Sequence, residues 1–480
     1  MLRLSSTIPR PMRAVIGGSR RWVTHVLEFG VFALALWGTQ LLSIYLWRLP
    51  NGDVDEYYQY AVDFWTAYPI FHRLPVEYPP LAIVPFTFTL LPPMPLYHTV
   101  YAIWMGLLVL LGYAGILRFG GRGRALAYAG YLLLGTAATL LARFDIVPAL
   151  VTLAALWATE RRRFGYAYVL LAAGVLLKLY PLFLVPVVLI AHWQAAMEQA
   201  RAEERLGAEP LDLAALPWRR APFVAVSRVG GSYPFRRVAR GAMLCGGLVL
   251  LGFTGAFLLN PSGALSNFSY AGQRPLQVES TPASILWLGT LVGIPAGPDY
   301  SFTSLNYVGV LDGALKPLSA LALVGGCLWV YWRQFRGRLT VGRAFAAVLC
   351  VVLVTNKLFS PQYLVWVLPV VAYVEGFDLI WVAICLLTWL DFPIMYQWRH
   401  PIQTVTFTTE FMPVLALRNG LLLWATLRVI IGPKSVRTSA EDVAAANTSA
   451  ISERADGTGA GPTATEPRDE RGDAAPVLTP

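Results

Sequence analysis

Apolar runs close to 20 residues long recur from about residue 26 to residue 431, and this sets the main limit on the fold. Wound as helices, such runs match a hydrocarbon layer about 30 Å thick. A backbone crossing that layer must satisfy its own hydrogen bonds, which leaves helices or a closed barrel. The runs are continuous rather than alternating, so the reading is an all-α polytopic membrane protein. Composition agrees: of 480 residues, 56% are hydrophobic and only 14% charged, against about 25% charged in soluble chains. The net charge of +10 comes largely from arginines clustered between apolar runs. That is the pattern of loops on the cytoplasmic side of a membrane, not of a nucleic-acid surface.

Charge bias then gives a topology. Residues 1–25 carry Arg3, Arg10, Arg13, Arg20 and Arg21 without an acid and read as a cytoplasmic N-terminus. The membrane domain spans 26–432, with about 12 helices by length. Within it, 49–96 is the first extracytoplasmic loop, 194–240 a cytoplasmic loop and 260–316 a second extracytoplasmic segment. The proline-broken stretch 81–95 reads as re-entrant or interfacial. The run 165–193 reads as two shorter helices with a turn at Lys178-Leu179-Tyr180-Pro181. Residues 433–480 lack hydrophobic periodicity and read as a disordered cytoplasmic tail. The reading is a multi-pass protein of the cell membrane with both termini on the cytoplasmic side.

The four cysteines all sit in apolar runs and the five histidines are scattered. Neither a disulfide framework nor a metal-ligand spacing follows.

The polar stretch 52–80 stands apart. It concentrates Asp53, Asp55, Glu56, Asp63 and Glu77 among tyrosines and Trp65. On the topology above it shares one membrane face with Arg143, Asp145, Lys178, Arg274, Glu279 and Lys357, each at a helix–turn junction. Isolated charges there are paired, snorkelling or functional, and Arg143 and Asp145 are placed to pair with each other across their short turn. Carboxylates can act as general bases toward a hydroxyl, and lysine or arginine can hold a phosphate. Aromatic rings suit sugars. Together they point to group transfer from a phosphate-linked lipid.

DVDEYYQYA at 53–61 and VEYPPLA at 76–82 resemble the first outer loop of glycosyltransferase family 87. Its members are polyprenol-phosphate-mannose-dependent mannosyltransferases of the GT-C superfamily. The resemblance continues through LLKLYPLFLVP at 176–186, RPLQVES at 274–280 and NKLFSPQYLVWVLP at 356–369. It implies a GT-C fold and an inverting hexosyltransferase. Such an enzyme moves mannose from a polyprenyl-phosphate donor to an extracytoplasmic glycolipid or polysaccharide, with no cofactor required beyond the lipid-linked substrate and metal dependence left open. Arabinose or glucose donors are the alternatives within the superfamily. A secondary transporter and a non-catalytic glycolipid scaffold are the alternatives outside it. By the same resemblance Asp53 is the general base, with Asp55 as the fallback. Lys178, Arg274 and Lys357 are the donor-phosphate residues. Tyr57, Glu77, Tyr78, Gln277, Glu279, Gln362 and Tyr363 are the contacts to sugar or acceptor. The chain departs from the family at His72-Arg73-Leu74, where relatives often carry an acid.

Overall fold

A computed structural model describes residues 10–45, 52–88, 94–207, 233–396 and 407–432. The expected disordered tail, 433–480, lies outside these residues, as do residues 1–9 and the middle of the 194–240 loop. The described chain is helical but for one hairpin. In order it runs α1 (Arg10–Tyr45), α2 (Gly52–Thr66), α3 (Ile83–Thr87), α4 (Met94–Gly120), α5 (Arg122–Gly135), α6 (Ile146–Glu160), α7 (Phe164–Leu177) and α8 (Val185–Gly207). Next come α9 (Tyr233–Leu259), α10 (Pro261–Gln273), α11 (Thr281–Thr290) and the antiparallel strands β1 (Ala296–Ser301) and β2 (Ser304–Gly309). The chain ends with α12 (Asp312–Phe335), α13 (Val341–Thr355), α14 (Leu364–Val374), α15 (Leu379–Trp389) and α16 (Phe407–Ile431).

Six of the described helices are long and apolar enough to cross a membrane, and five further apolar helices are shorter. The sequence expectations need five adjustments. Residues 194–240, read as loop, are helical at both described ends, α8 continuing to Gly207 and α9 beginning at Tyr233. Helix α1 begins at Arg10, so much of the basic 1–25 segment is helical. Residues 52–66, read as loop, form a helix. Within 81–95 the described chain makes a 3₁₀ turn (Pro80–Ala82) and the short α3. The outer segment 260–316 is not loop but two helices and a hairpin, the one departure from an all-α chain among the described residues.

Local sequence accounts for most boundaries. Asn260 caps α10, its Oδ1 accepting the Gly263 amide at 3.0 Å, with Pro261 at the first helical position. Ser280 and Asp378 cap α11 and α15 in the same way, each satisfying an amide the helix leaves over. Gly376, at φ +75°, terminates α14 as a left-handed residue after a helix commonly does.

Packing follows from how apolar each helix is around its circumference. Every residue of α13 from Gly342 to Val354 is buried, as is α14 from Leu364 to Tyr373. A helix apolar all round belongs inside, and these two form the centre. Helices α1, α9 and α12 lie outside and expose Leu34, Leu258 and Leu321, the surface expected to meet lipid. A second, smaller core joins α11, β2 and α16 through Leu276, Leu286, Tyr307 and Phe411.

Helix α9 approaches α7 at glycines. A β-carbon on Gly241 would stand 2.1 Å from a ring carbon of the buried Tyr168, and one on Gly252 would stand 2.6 Å from Leu176. Small residues let helices in a membrane approach this closely. Because 241 faces 168 and 252 faces 176, the two helices run in the same direction. Gly241→Ala is expected to lower stability by about 1–3 kcal/mol through overpacking, whereas Gly246→Ala, which meets nothing within 4 Å, leaves it unchanged. Thermal unfolding of the two variants in detergent checks this.

Candidate functional site

A cavity of about 440 Å³ opens where α2, α7, α10, α13 and the β1–β2 turn converge. Its described lining carries three carboxylates, Asp53, Glu56 and Glu77, and three cations, Arg143, Lys178 and Arg274. Tyr78, Gln277, Gln362 and Tyr363 line it too. Eight of the residues singled out in the sequence therefore meet here: Asp53, Glu77, Tyr78, Lys178, Arg274, Gln277, Gln362 and Tyr363.

Helix α2 decides which acid enters. Val54, Tyr57 and Ala61 are buried and fix its inner side. At about 100° per residue, Asp53 and Glu56 share the cavity flank while Asp55 lies on the far side. Asp55 is 55% exposed and bonds His98 Nε2 at 2.8 Å. Both aspartates sit in the first turn, where the helix dipole favours negative charge. Asp53 pairs with Arg143. Burial pulls the Arg143 guanidinium down to about 10 against the opposing pull of Asp145, and it stays cationic at neutral pH. Burial raises the Glu56 carboxyl above its ordinary value, opposed by Tyr60 Oη donating at 2.6 Å.

The other short-turn residue has a different partner. Asp145, 2% exposed at the start of α6, accepts from Lys178 Nζ at 2.5 Å and from Trp366 Nε1 at 2.5 Å. Arg143 and Asp145 thus do not pair with each other as their spacing invites; each reaches a distant helix. Lys178 sits among aromatic faces, with Trp366 at 4.8 Å, Phe144 at 5.0 Å and Tyr363 at 5.2 Å. Burial lowers its pKa and Asp145 opposes that shift. Tyr180 and Tyr363 both stack on Trp366, at 4.6 and 4.0 Å, making an aromatic wall beside the ammonium.

The segment 274–280 forms another wall. Its backbone pairs with β2, the Val278 amide donating to Leu305 at 3.1 Å and the Tyr307 amide to Leu276 at 2.9 Å. Lys357 does not line the cavity. Its Nζ donates to the carbonyls of Gly272 and Arg274 at 3.0 and 2.9 Å, securing the end of α10 from which Arg274 projects. Arg274 lies over the Tyr270 ring at 5.5 Å, and burial together with nearby Glu77 pushes the Tyr270 hydroxyl up to about 12.

Two more of the expected contacts are placed elsewhere or stand behind the surface. Tyr57 is fully buried, stacked on Phe86 at 4.3 Å and 3.4 Å from Tyr78 Oη. It backs the cavity wall without lining it. Glu279 is buried outside the cavity and accepts from Tyr396 Oη at 2.6 Å. Its backbone carbonyl accepts from Arg418 Nη2 at 2.5 Å, and Arg418 also bonds Asp391 at 2.9 Å. Its charge therefore belongs to a structural network anchoring the 274–280 wall. His72, at the departure from the family pattern, bonds the Leu259 carbonyl at 2.7 Å and Leu74 packs on Ala256 and Ala264, tying the loop to α9 and α10.

Residues not singled out as contacts also line the cavity, among them Tyr180, Tyr270, Thr303, Ser360 and Trp366. Ser360 was embedded in the NKLFSPQY run, and its Oγ donates to Gln362 Oε1 at 2.6 Å. Thr303 gave no sequence signal, since the hairpin turn that delivers it is unmarked by glycine. Among the described residues no three His, Cys, Asp or Glu side chains gather as a metal site requires.

No protein-family model matches the chain, and a search of curated proteins gives no match either.

Removing either member of a buried ion pair strands the other. Lys178→Met is expected to lower stability by about 3–5 kcal/mol by leaving Asp145 uncompensated. The double variant Lys178→Met/Asp145→Leu should recover much of that loss, as a non-additive cycle of thermal unfolding midpoints. Additive losses would show that the pair is not what holds these helices.

Proposed function

We propose that this chain is a membrane glycosyltransferase of the GT-C type. It transfers a sugar, mannose on the family resemblance, from polyprenyl phosphate to a glycolipid or polysaccharide acceptor with inversion. The observation that carries this reading is the convergence of Asp53 with Arg143, Lys178 and Arg274 beside an aromatic wall in one cavity. A base, a phosphate-holding set and a sugar platform are the three parts such a transfer uses.

In this reading the donor phosphate enters among the three cations and draws Arg143 away from Asp53. The released carboxylate takes the proton of the acceptor hydroxyl as its oxygen bonds to the anomeric carbon. The bond from that carbon to the phosphate oxygen breaks, and polyprenyl phosphate leaves with the electron pair. Its growing charge is stabilised by the guanidinium and ammonium groups already oriented there. Glu77, Gln277, Gln362 and Ser360 offer hydrogen bonds to sugar and acceptor hydroxyls, while Lys357 and Glu279 act at a distance by holding the 274–280 wall.

Two further observations support the reading. A second, apolar groove of about 300 Å³, lined by Leu81, Val84, Phe88, Trp104, Leu108 and Leu177, adjoins the cavity through the neighbours Leu177–Lys178 and Pro79–Leu81, and a polyprenyl chain fits its chemistry. The opposite ends of the helices carry the clustered arginines: Arg122 with Glu28, Arg343 with Glu375, and Arg428 with Asp378. The positive-inside bias assigns that end to the cytoplasm. The cavity then faces outward, with α1 entering and α16 leaving on the cytoplasmic side; the six long helices, the five shorter apolar ones and α5 would together give 12 spans.

Membranes carrying the wild-type protein should transfer labelled mannose from polyprenyl-phosphate-mannose to a membrane glycolipid extract. Asp53→Asn should lower the rate at least about 100-fold, the ordinary contribution of a general base, and Asp55→Asn should leave it within about threefold on the geometry of α2. Full activity of Asp53→Asn at equal protein level would remove Asp53 as the base. Transfer from arabinose- or glucose-linked donors in place of mannose would reassign the sugar, and no transfer from any of them would return the transporter and scaffold readings.

A further inference from the structure

The turn joining β1 to β2 consists of Phe302 and Thr303, between the paired Ser301 and Ser304. Both hold φ of +53°. A two-residue hairpin turn with both φ positive ordinarily uses asparagine and glycine, which take that conformation at little cost. A bulky residue followed by a β-branched one takes it only under backbone strain. Such strain persists where the surroundings fix the backbone and the side chain has a use.

The surroundings do fix it. Asn306, buried on β2, places its Nδ2 2.9 Å from the Ser301 carbonyl, 3.1 Å from Ser301 Oγ and 3.1 Å from the Ser304 carbonyl. The same residue bridges to Gln277 of the neighbouring wall. Ser301 Oγ in turn donates to Asp299 Oδ2 at 2.6 Å. The turn is pinned from beneath without a glycine.

Its two side chains have different settings. Phe302 meets the Tyr270 ring edge-on at 5.8 Å, and its carbonyl accepts from Tyr270 Oη at 3.4 Å. Packing on α10 accounts for it. Thr303 is exposed and lines the Asp53 cavity. Its Oγ1 donates to the Phe302 carbonyl at 2.7 Å, which leaves the hydroxyl oxygen able to accept. Tyr270 Oη is a hydrogen-bond neighbour of both Thr303 and Glu77, so these two side chains belong to the same part of the rim. The apolar groove joins the cavity elsewhere, at Leu81 and Leu177, and its described lining includes no residue of α10 or of the hairpin. A lipid-linked donor with its chain in that groove leaves the exposed rim to a ligand arriving from water.

We propose that Thr303 is a specificity-determining contact for the acceptor, its hydroxyl oxygen accepting a hydrogen bond from a hydroxyl of the acceptor sugar beside Glu77. This rests on the sugar-transfer reading and assigns to that reaction a residue that reads the acceptor and not the donor.

The test is initial-rate kinetics of the purified full-length protein with labelled polyprenyl-phosphate-mannose and a membrane glycolipid extract scaled by its hexose content, each titrated against the other. Thr303→Gly removes the side chain and suits the backbone. It should raise the acceptor KM about fivefold, the worth of one neutral hydrogen bond, with kcat and the donor KM within about twofold. Thr303→Ser, which keeps the hydroxyl, should restore the acceptor KM. The unfolding midpoint of Thr303→Gly should not fall, because glycine relieves the turn. An unchanged acceptor KM in Thr303→Gly would overturn the proposal, as would failure of serine to restore it. An equal rise in both KM values, or a lowered midpoint with lost kcat, would also overturn it by giving Thr303 a structural role alone. Absence of transfer by the wild type from mannose-, arabinose- and glucose-linked donors would strike the sugar-transfer reading itself, and this assignment with it.

Discussion

The Lys178–Asp145 pair is the interaction on which the cavity depends. Two opposite charges, 13% and 2% exposed, lie where apolar helix ends meet, and neither tolerates that place alone. Lys178 closes α7, Asp145 opens α6, and Trp366 of α14 donates to the same carboxylate oxygen. One contact therefore fixes three helices relative to one another and orients the aromatic stack that walls the site. Its consequences reach α2, because Arg143, two residues from Asp145, is held where it meets Asp53. Carboxylate and guanidinium stand together at rest in a way an incoming phosphate can undo.

The molecule distributes charge along its helices rather than around them. At one end are the mixed acids and bases of the cavity. At the other the cations predominate, some paired with Glu28, Glu375 and Asp378 and some lining a concavity there. Between lie α13 and α14, apolar on all sides and buried. Between those ends α1, α9 and α12 expose mostly apolar side chains. This separation gives a single chain two chemically different polar ends joined by a dry centre.

Much of this was legible in the sequence because hydrophobic length is a local property. The spanning helices follow from run length, and the grouping of Asp53, Glu77, Lys178 and Arg274 from their shared place at helix–turn junctions. What the sequence left open is set by partners far along the chain. Asp53 and Asp55 are alike as residues in a loop and differ only once α2 is seen as a helix with Val54, Tyr57 and Ala61 inward. Lys357 looks like a phosphate ligand until the carbonyls it serves, 83 and 85 positions away, are in place. Glu279 looks like a cavity acid until Arg418, 139 positions on, takes hold of its carbonyl. The β1–β2 hairpin was hidden because its turn residues, Phe302 and Thr303, hold φ of +53° without the glycine or asparagine that ordinarily announces such a turn.

The central claim is that the Asp53 cavity and the apolar groove beside it receive a lipid-linked phosphate. Photo-crosslinking with a polyprenyl-phosphate-mannose that carries a diazirine on its first isoprene unit tests this directly. The account predicts adducts within 76–88 and 356–366, the two chain segments that flank the cavity and groove, competed away by unlabelled donor. Adducts confined to 162–169 and 237–244, at the arginine-lined end, would contradict it.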